Sequence, residues 1–292
     1  MEWEICDSNT PITNIVKILV SGAHGFIGRS LLKVFNEKDV NIFAIIKDIK
    51  KSNLIKNINY IEHTISHNNE LVFEKAKYDT LIHLSWSSLN DYNSINHMQN
   101  DLAISYNFVK QAIDSGIKNI LIAGTCFEYG NIEGQVSETD NTCPINEYSK
   151  AKNELRKKIE SIQRNKQFNL TWMRIFYVYG DEQSRNSLYK QLTTAVLEKK
   201  KYFQVSAGEQ KKDYLHVDDL ANKIKKLSMT NKNVGIVNVC SGNPISIKDL
   251  VKKWIAENQW SIIPKFGELE SKKSEQNSFW GNVKKYNKII KK

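Results

Sequence analysis

The sequence has few of the features that stabilise small secreted proteins or insert into membranes. Its four cysteines, Cys6, Cys126, Cys143 and Cys240, are widely spaced and form no Cys-x-x-Cys pair. This spacing argues against a disulfide framework and against a zinc site or other bound metal. No apolar run approaches the roughly 18 residues that a membrane span needs. Residues 1–15 are acidic and lack the basic and apolar regions of a signal peptide. We therefore expect a cytoplasmic protein without a membrane partner.

Proline is also scarce, at four residues, and the sequence has no internal repeat or low-complexity linker. With 292 residues, 40% of them hydrophobic, the chain can bury a large core. The formal net charge is +10, but the lysines are scattered through helical stretches rather than interleaved with aromatic residues. This distribution predicts no nucleic-acid partner, and it suits a solvated surface with a mild attraction for anionic substrates.

Short apolar runs alternate with amphipathic stretches along the first 180 residues. The predicted strands are Lys17–Val20, Asn41–Ile46, Tyr60–Ile61, Thr80–Leu84, Asn119–Ala123 and Leu170–Ile175, and the predicted helices are Phe26–Phe35, Glu70–Lys77, Met98–Asp114 and Glu147–Gln163. Such alternation predicts an α/β fold with a parallel sheet covered by helices on both faces. We expect residues 1–180 to form this domain, with 1–15 as an N-terminal extension. Residues 181–292, where helices mix with short strands, are expected to form mainly a smaller α/β lobe that does not fold independently.

A glycine-rich segment joins the first predicted strand to the first helix, and it reads Gly22-Ala23-His24-Gly25-Phe26-Ile27-Gly28. One glycine allows a sharp turn off the strand, one lets the backbone approach a pyrophosphate, and one lets helix and strand pack closely. The helix N-terminus adds free N–H groups and a partial positive charge. A tight turn without a ligand would need the same residues, but the position between strand and helix favours a dinucleotide site.

The residues after the second predicted strand indicate which nicotinamide cofactor is used. An acidic residue there would bind the ribose hydroxyls of NAD, whereas a cation suits the 2′-phosphate of NADP. The sequence has Lys47 followed by Asp48. Lys47 favours NADPH, and Asp48 leaves NAD as the alternative.

A tyrosine and a lysine, Tyr148 and Lys152, lie four residues apart on a predicted helix and so share one face. The ammonium would lower the pKa of the phenol and hold a ribose. Thr125, just past a predicted strand, would hydrogen-bond a substrate carbonyl beside Tyr148. Tyr148 would then act as general acid in a reduction or as general base in an oxidation.

Together these segments resemble the ordered motifs of the extended short-chain dehydrogenases. The matching segments are Gly22–Gly28, Asp79–Leu84, Thr125–Gly130, Tyr148 with Lys152, Arg174–Gly180 and Lys212–Asp219. The resemblance covers roughly residues 16–255. It implies a Rossmann-type doubly wound sheet, a C-terminal substrate-binding lobe, a nucleotide-sugar substrate and a homodimer. It also implies Thr125, Tyr148 and Lys152 as the catalytic set, and Leu84, Ser85, Tyr148 and Lys152 as further cofactor contacts.

Several segments resemble one subgroup, the bacterial nucleotide-sugar 4-ketoreductases that reduce dTDP-4-keto-6-deoxyhexoses for surface polysaccharide. The sequence also departs from the wider family. Cys126-Phe127 replace an acidic pair that dehydratases carry, which argues against 4,6-dehydration. Tyr177 replaces a substrate-binding asparagine, and Lys212 replaces an arginine that contacts the diphosphate. The expected substrate contacts are Trp86, Cys126, Phe127, Tyr177, Asn186, Ser187 and Lys212.

Three functions follow from these patterns. The first is NADPH-dependent reduction of the C4 keto group of a nucleotide-linked deoxysugar. The second is an epimerase that keeps NAD bound and returns the hydride to the same substrate. The third is a dinucleotide-binding protein without catalysis, which the complete Thr125, Tyr148 and Lys152 set disfavours.

Overall fold

A computed structural model describes residues 15–35, 40–50, 54–67, 69, 72–73, 77–270 and 278–291. Among these residues, seven strands form one parallel sheet, and they are β1 (Val16–Ser21), β2 (Val40–Ile46), β3 (Asn59–Glu62), β4 (Thr80–His83), β5 (Asn119–Thr125), β7 (Asn169–Ile175) and β11 (Gly235–Val239). Their spatial order across the sheet is β3-β2-β1-β4-β5-β7-β11. The central strands β4 and β5 are buried throughout, because apolar runs such as Ile120-Leu121-Ile122 face helices on both sides.

Helices cover the two faces of this sheet. One face packs against α1 (Phe26–Val34), α5 (Val217–Ser228) and α7 (Lys284–Ile290). The other packs against α2 (Leu102–Asp114) and α3 (Glu147–Gln163). The result is a Rossmann-type doubly wound sheet, as predicted. The strand order reverses between β1 and β4, and in such sheets ligands bind at the carboxyl ends of the strands beside that reversal.

A smaller lobe stands next to those carboxyl ends. Its strands are β6 (Gly134–Val136), β8 (Tyr177–Tyr179), β10 (Lys211–His216), β12 (Pro244–Ser246) and β14 (Phe279–Gly281), together with a pair formed by β9 (Tyr202–Val205) and β13 (Ile263–Phe266). Helices α4 (Leu188–Leu197) and α6 (Ile247–Glu257) pack around the buried Trp254. No helix within the described ranges is both long and apolar enough to cross a membrane.

The predicted elements and the structure differ in a few places. The helix predicted for Met98–Asp114 begins with a π-helical turn, His97–Asp101, before α2. Strand β11, expected in the lobe, lies in the large sheet because it pairs in parallel with residues 171–175 of β7. Helix α5 also packs against α1, so residues 181–292 do not form one continuous lobe. The extension over residues 1–14 and most of the helix predicted for 70–77 lie outside the described residues.

Candidate active site

The three glycines of the first turn serve different purposes. Gly22 has φ +71°, and a Cβ there would lie 2.7 Å from the main-chain nitrogen of Ser85. A Cβ on Gly28 would lie 2.2 Å from the Gly22 carbonyl oxygen. Both positions therefore exclude a side chain through the packing of the protein itself. A Cβ on Gly25 would meet only the Gly22 oxygen, at 3.2 Å, so the protein's own packing demands this glycine least. A ligand approaching the backbone accounts for Gly25 better than packing does.

The glycine turn opens into a cleft of about 600 Å³. The cleft is lined by nine of the residues predicted to bind the cofactor, namely Gly22, His24, Gly25, Phe26, Ile27, Gly28, Lys47, Leu84 and Ser85, and also by Trp86. The other two predicted contacts, Tyr148 and Lys152, are not among the lining residues, and Lys152 Nζ lies 3.8 Å from the Trp86 ring centroid. Helix α1 begins at the cleft with Gly25 as its N-cap, so no side chain caps it, and its first turn holds no acidic residue. The first N–H groups of α1 are therefore available to a phosphate, and the cleft fits a dinucleotide.

The polar residues of the cleft differ in what they offer a cofactor. Lys47 is exposed at the end of β2. Asp48 also lines the cleft, but its Oδ1 accepts the Lys50 N–H at 2.9 Å and so caps a turn. The pKa of His24 is lowered, first by burial and then by the Arg29 cation. His24 is therefore neutral at neutral pH and would contact a phosphate by a hydrogen bond rather than by charge.

The three predicted catalytic residues meet where β5 and α3 adjoin. Thr125 ends β5, and α3 starts at the Asn146 N-cap, two residues before Tyr148. The Asn146 side chain accepts the Ser149 N–H at 2.8 Å, which fixes the first turn of the helix. The Thr125 hydroxyl is near enough to the Tyr148 phenol to act on it and to lower its pKa. Lys152, one turn further along α3, donates from Nζ to the Ala123 carbonyl at 2.9 Å.

The pKa values of Tyr148 and Lys152 differ from what their spacing in the sequence predicts. Burial raises the pKa of Tyr148 well above its usual value, the Tyr92, Glu128 and Cys126 side chains raise it further, and the Thr125 hydroxyl only partly opposes them. Burial also lowers the pKa of Lys152 to about 7, against the opposing effect of nearby carboxylates. The expected lowering of the phenol pKa by the ammonium is therefore not found, because burial is the larger effect, even though Lys152 Nζ lies 5.9 Å from the Tyr148 ring centroid. Tyr148 carries its proton at neutral pH.

A buried carboxylate, that of Glu128, hydrogen-bonds the main chain of Thr125. Glu128 is fully buried, and its Oε1 accepts the Thr125 N–H at 3.0 Å. The same carboxylate accepts the Trp172 indole N–H at 2.9 Å and the Arg174 Nε–H at 2.9 Å. This network ties the turn after β5 to strand β7. No local pattern predicts this role of Glu128, because its partners Trp172 and Arg174 lie more than 40 residues away in the chain.

Four predicted substrate contacts, Cys126, Phe127, Tyr177 and Lys212, lie in or against one aromatic cluster beside Thr125. The Phe127 and Tyr177 rings meet edge to face at 5.8 Å. Lys212 Nζ lies 5.5 Å from the Tyr177 centroid and 4.9 Å from that of Phe279. Cys126 is 3% exposed, and burial raises the pKa of its thiol, so the thiol is protonated at neutral pH and does not act as a nucleophile.

Two further predicted contacts, Asn186 and Ser187, lie in the smaller lobe at the start of α4. The Ser187 hydroxyl accepts the Lys190 N–H at 3.3 Å and caps this helix, which explains a serine there without a ligand. Asn186 is exposed at the same turn. Their part in substrate binding stays a prediction.

The loop between β4 and α2 holds residues that the sequence analysis missed. The Tyr92 ring stacks on Tyr148, with centroids 5.2 Å apart, and the imidazole of the buried His97 lies 5.4 Å from the same ring. The sequence does contain a signal for this loop. Loops after the carboxyl ends of parallel strands border the ligand site, and this loop is rich in aromatic residues. No local pattern, however, tells which of these side chains faces the helix.

Comparison with known proteins places this geometry among enzymes of nucleotide sugars. The sequence profile of the NAD dependent epimerase/dehydratase family matches residues 18–240. The chain is 29% identical over 280 residues to dTDP-6-deoxy-L-talose 4-dehydrogenase (NAD(+)) of Aggregatibacter actinomycetemcomitans, covering 91% of this chain and 99% of the relative. It is 24% identical over 243 residues to GDP-6-deoxy-D-talose 4-dehydrogenase of the same organism, covering 80% of this chain and 76% of the relative.

The fold is also similar to that of solved structures. The UDP-glucuronic acid 4-epimerase of Bacillus cereus, solved with UDP-glucuronic acid and NAD, has a TM-score of 0.79 at 22% identity. The match covers 94% of this chain and 93% of that one. At this level of identity the likeness shows a shared fold and leaves the substrate open.

Proposed function

Because the chain belongs to the NAD dependent epimerase/dehydratase family, we propose that it is an NAD(P)H-dependent oxidoreductase acting at C4 of a nucleotide-linked 6-deoxyhexose. In the synthetic direction it reduces the C4 keto group of a 4-keto-6-deoxyhexose, as a step towards a deoxysugar of surface polysaccharide such as O-antigen. Both relatives described above are named as 4-dehydrogenases of 6-deoxytalose nucleotides, which supports this chemistry. The relative that aligns over 99% of its length carries dTDP in its name, so dTDP is the nucleotide we propose.

The observation that carries the proposal is a protonated phenol next to the cleft, because the Trp86 ring lines the cleft and meets the Tyr148 ring edge to face at 6.0 Å. Tyr148 keeps its proton, and the Thr125 hydroxyl is near enough to affect its pKa. A carbonyl oxygen that accepts from both hydroxyls would be polarised, and Tyr148 would donate the proton as general acid. The reduced nicotinamide, when bound, supplies the hydride. Lys152 has one N–H on Ala123 and retains donors for a ribose.

Two features support NADPH as the preferred cofactor. Lys47 lies at the position where a cation would meet a 2′-phosphate, and Asp48, the residue that would favour NAD, already caps the turn at Lys50. The family description and the name of the dTDP-linked relative both specify NAD, so NADH is the alternative to be measured.

On the substrate side, we propose that Lys212 meets the diphosphate and that the aromatic cluster borders the sugar. Lys212 is buried beneath two aromatic rings and can neutralise a phosphate as a point charge. Phe127 and Tyr177 suit an apolar C6 methyl group better than a hydroxymethyl group, which would need a hydrogen-bond partner. Asn186, Ser187, Trp86 and Cys126 remain proposed contacts, and we propose a homodimer formed through α2 and α3.

Incubation with defined substrates tests the function. The protein is mixed with NADPH or NADH and with dTDP-, GDP-, CDP- or UDP-linked 4-keto-6-deoxyhexoses, and the products are identified by NMR. We expect cofactor oxidation and reduction at C4 with at least one sugar, and loss of both with Tyr148→Phe. No turnover with any keto-sugar nucleotide would refute the proposal. Protein that purifies with bound NAD and interconverts sugars without net cofactor use would instead be an epimerase.

A further inference from the structure

The loop between β4 and α2 places one aromatic ring against each member of the catalytic pair. The Trp86 ring lies 3.8 Å from Lys152 Nζ. The Tyr92 ring stacks on Tyr148 nearly in parallel, at 23° and 5.2 Å. The Tyr148 N–H also donates to the main-chain carbonyl of Tyr92 at 2.9 Å. Tyr92 therefore contacts Tyr148 through both its ring and its backbone.

A buried histidine fixes the position of this loop. The Trp86 indole N–H donates to His97 Nδ1 at 3.0 Å, and His97 Nε2 donates to the Asp91 carbonyl at 2.9 Å. A carbonyl can only accept, so the bond to Asp91 requires a proton on Nε2. The carboxylate of Asp101 borders the same ring, 3.1 Å from Nδ1. One imidazole thus holds Trp86 directly and Tyr92 through its neighbour Asp91.

We propose that Tyr92 is a positioning residue that orients the Tyr148 phenol towards the substrate carbonyl, and that His97 acts through it. The inference rests on the proposed function, since it assigns Tyr148 as the proton donor. Tyr92 is 43% exposed, so its ring covers the phenol from the solvent side. Its other edge meets Phe127 at 5.5 Å, which places it between the general acid and the aromatic wall of the proposed sugar site.

The ring and the carbonyl of Tyr92 perform this function, and its hydroxyl does not. A general acid works only within hydrogen-bond reach of the oxygen it protonates, and a misplacement of about 1 Å costs up to about 100-fold in rate. Removing the Tyr92 ring opens space on the solvent side into which the phenol can turn. Phenylalanine at the same position keeps the stacking face and the backbone hydrogen bond.

The kinetic test uses Tyr92→Ala, Tyr92→Phe and His97→Leu, with Tyr202→Ala as the matched control. Tyr202 is 42% exposed in β9 of the smaller lobe, where Lys201 Nζ lies 5.3 Å and Lys265 Nζ 4.3 Å from its ring centroid. We expect Tyr92→Ala to lower kcat by about 10- to 100-fold while the cofactor Kd changes by less than about 3-fold. Tyr92→Phe should keep kcat near the wild-type value. His97→Leu should lower kcat, and a double variant with Tyr92→Ala and His97→Leu should be no slower than Tyr92→Ala alone.

A second readout does not depend on turnover. Alkaline titration of phenolate absorbance is measured for Tyr92→Ala and Tyr92→Phe, each with and without Tyr148→Phe, so that the difference isolates the Tyr148 phenol. Because Tyr92 shields that phenol, Tyr148 should ionise at lower pH in the alanine variant than in the phenylalanine variant. If the wild type reduces no sugar nucleotide, the proposed function fails, and this titration still tests whether the Tyr92 ring packs against the Tyr148 phenol and shields it.

Three results would overturn the inference. One is a Tyr92→Ala variant with wild-type kcat and the same Tyr148 titration as Tyr92→Phe. Another is a Tyr92→Phe variant as slow as Tyr92→Ala, which would make the hydroxyl itself the active group. The third is a loss confined to cofactor binding, which would assign the loop to the cleft rather than to the phenol.

Discussion

Replacing Lys152 with methionine should remove catalysis and, at neutral and mildly acidic pH, stabilise the fold. Lys152 is 1% exposed, and burial lowers its pKa from 10.5 to about 7. Methionine has a similar length and no charge, so it fills the same space without desolvating an ammonium. The variant therefore separates the cost of burying the cation from the contacts of its aliphatic stem.

The size of the effect follows from the two pKa values. Between pH 10.5 and about 7, the unfolded chain holds a proton on Lys152 that the folded protein releases, so stability of the wild type rises with pH across this window. At about 1.36 kcal/mol per pH unit, a fall from 10.5 to about 7 corresponds to about 5 kcal/mol in total. About 4 kcal/mol of this should develop between about pH 6 and about pH 10.

Urea unfolding of both proteins at several pH values tests this reasoning. The quantity to compare is the free energy of unfolding of the variant minus that of the wild type. It should be about 4 kcal/mol larger near pH 6 than near pH 10. The variant lacks the hydrogen bond to Ala123 at both pH values, so the free energy of that bond cancels when the two stability differences are subtracted. Parallel stability profiles for the two proteins would show that Lys152 keeps its ordinary pKa and that the site hydrates it.

Three further predictions concern the cleft and the phenol. Gly28→Ala should fail to fold or lose about 3 kcal/mol or more of folding free energy, since its Cβ would overlap the Gly22 oxygen. Gly25→Ala should melt near the wild-type temperature but bind NADPH about 10-fold more weakly. Calorimetry measures the first effect and cofactor titration the second. Tyr148→Phe should reduce kcat by about 100- to 10,000-fold with an unchanged cofactor Kd, and near-normal turnover would eliminate Tyr148 as the acid. Lys47→Ala should lower kcat/KM about 10-fold for NADPH and little for NADH, and equal losses would remove the argument for NADPH.

Local patterns in the sequence determined the parts of this protein that depend on near neighbours in the chain. The alternation of apolar runs with amphipathic stretches predicts the parallel sheet and helix bounds such as Glu147–Gln163. The glycine turn and the one-turn spacing of Tyr148 and Lys152 belong to the same class, because turn geometry and helical periodicity act over a few residues.

Only the tertiary structure decided which distant groups meet, and what the catalytic pair experiences there. The Glu128 network, the placement of β11 in the large sheet and the contacts of Tyr92 and His97 all join residues well separated in the chain. The pKa directions of Tyr148 and Lys152 were also settled at this level, opposite to what their spacing alone suggests for the phenol. Spacing sets how close two charges can come, but desolvation depends on every element packed around them, and in this site it is the larger effect.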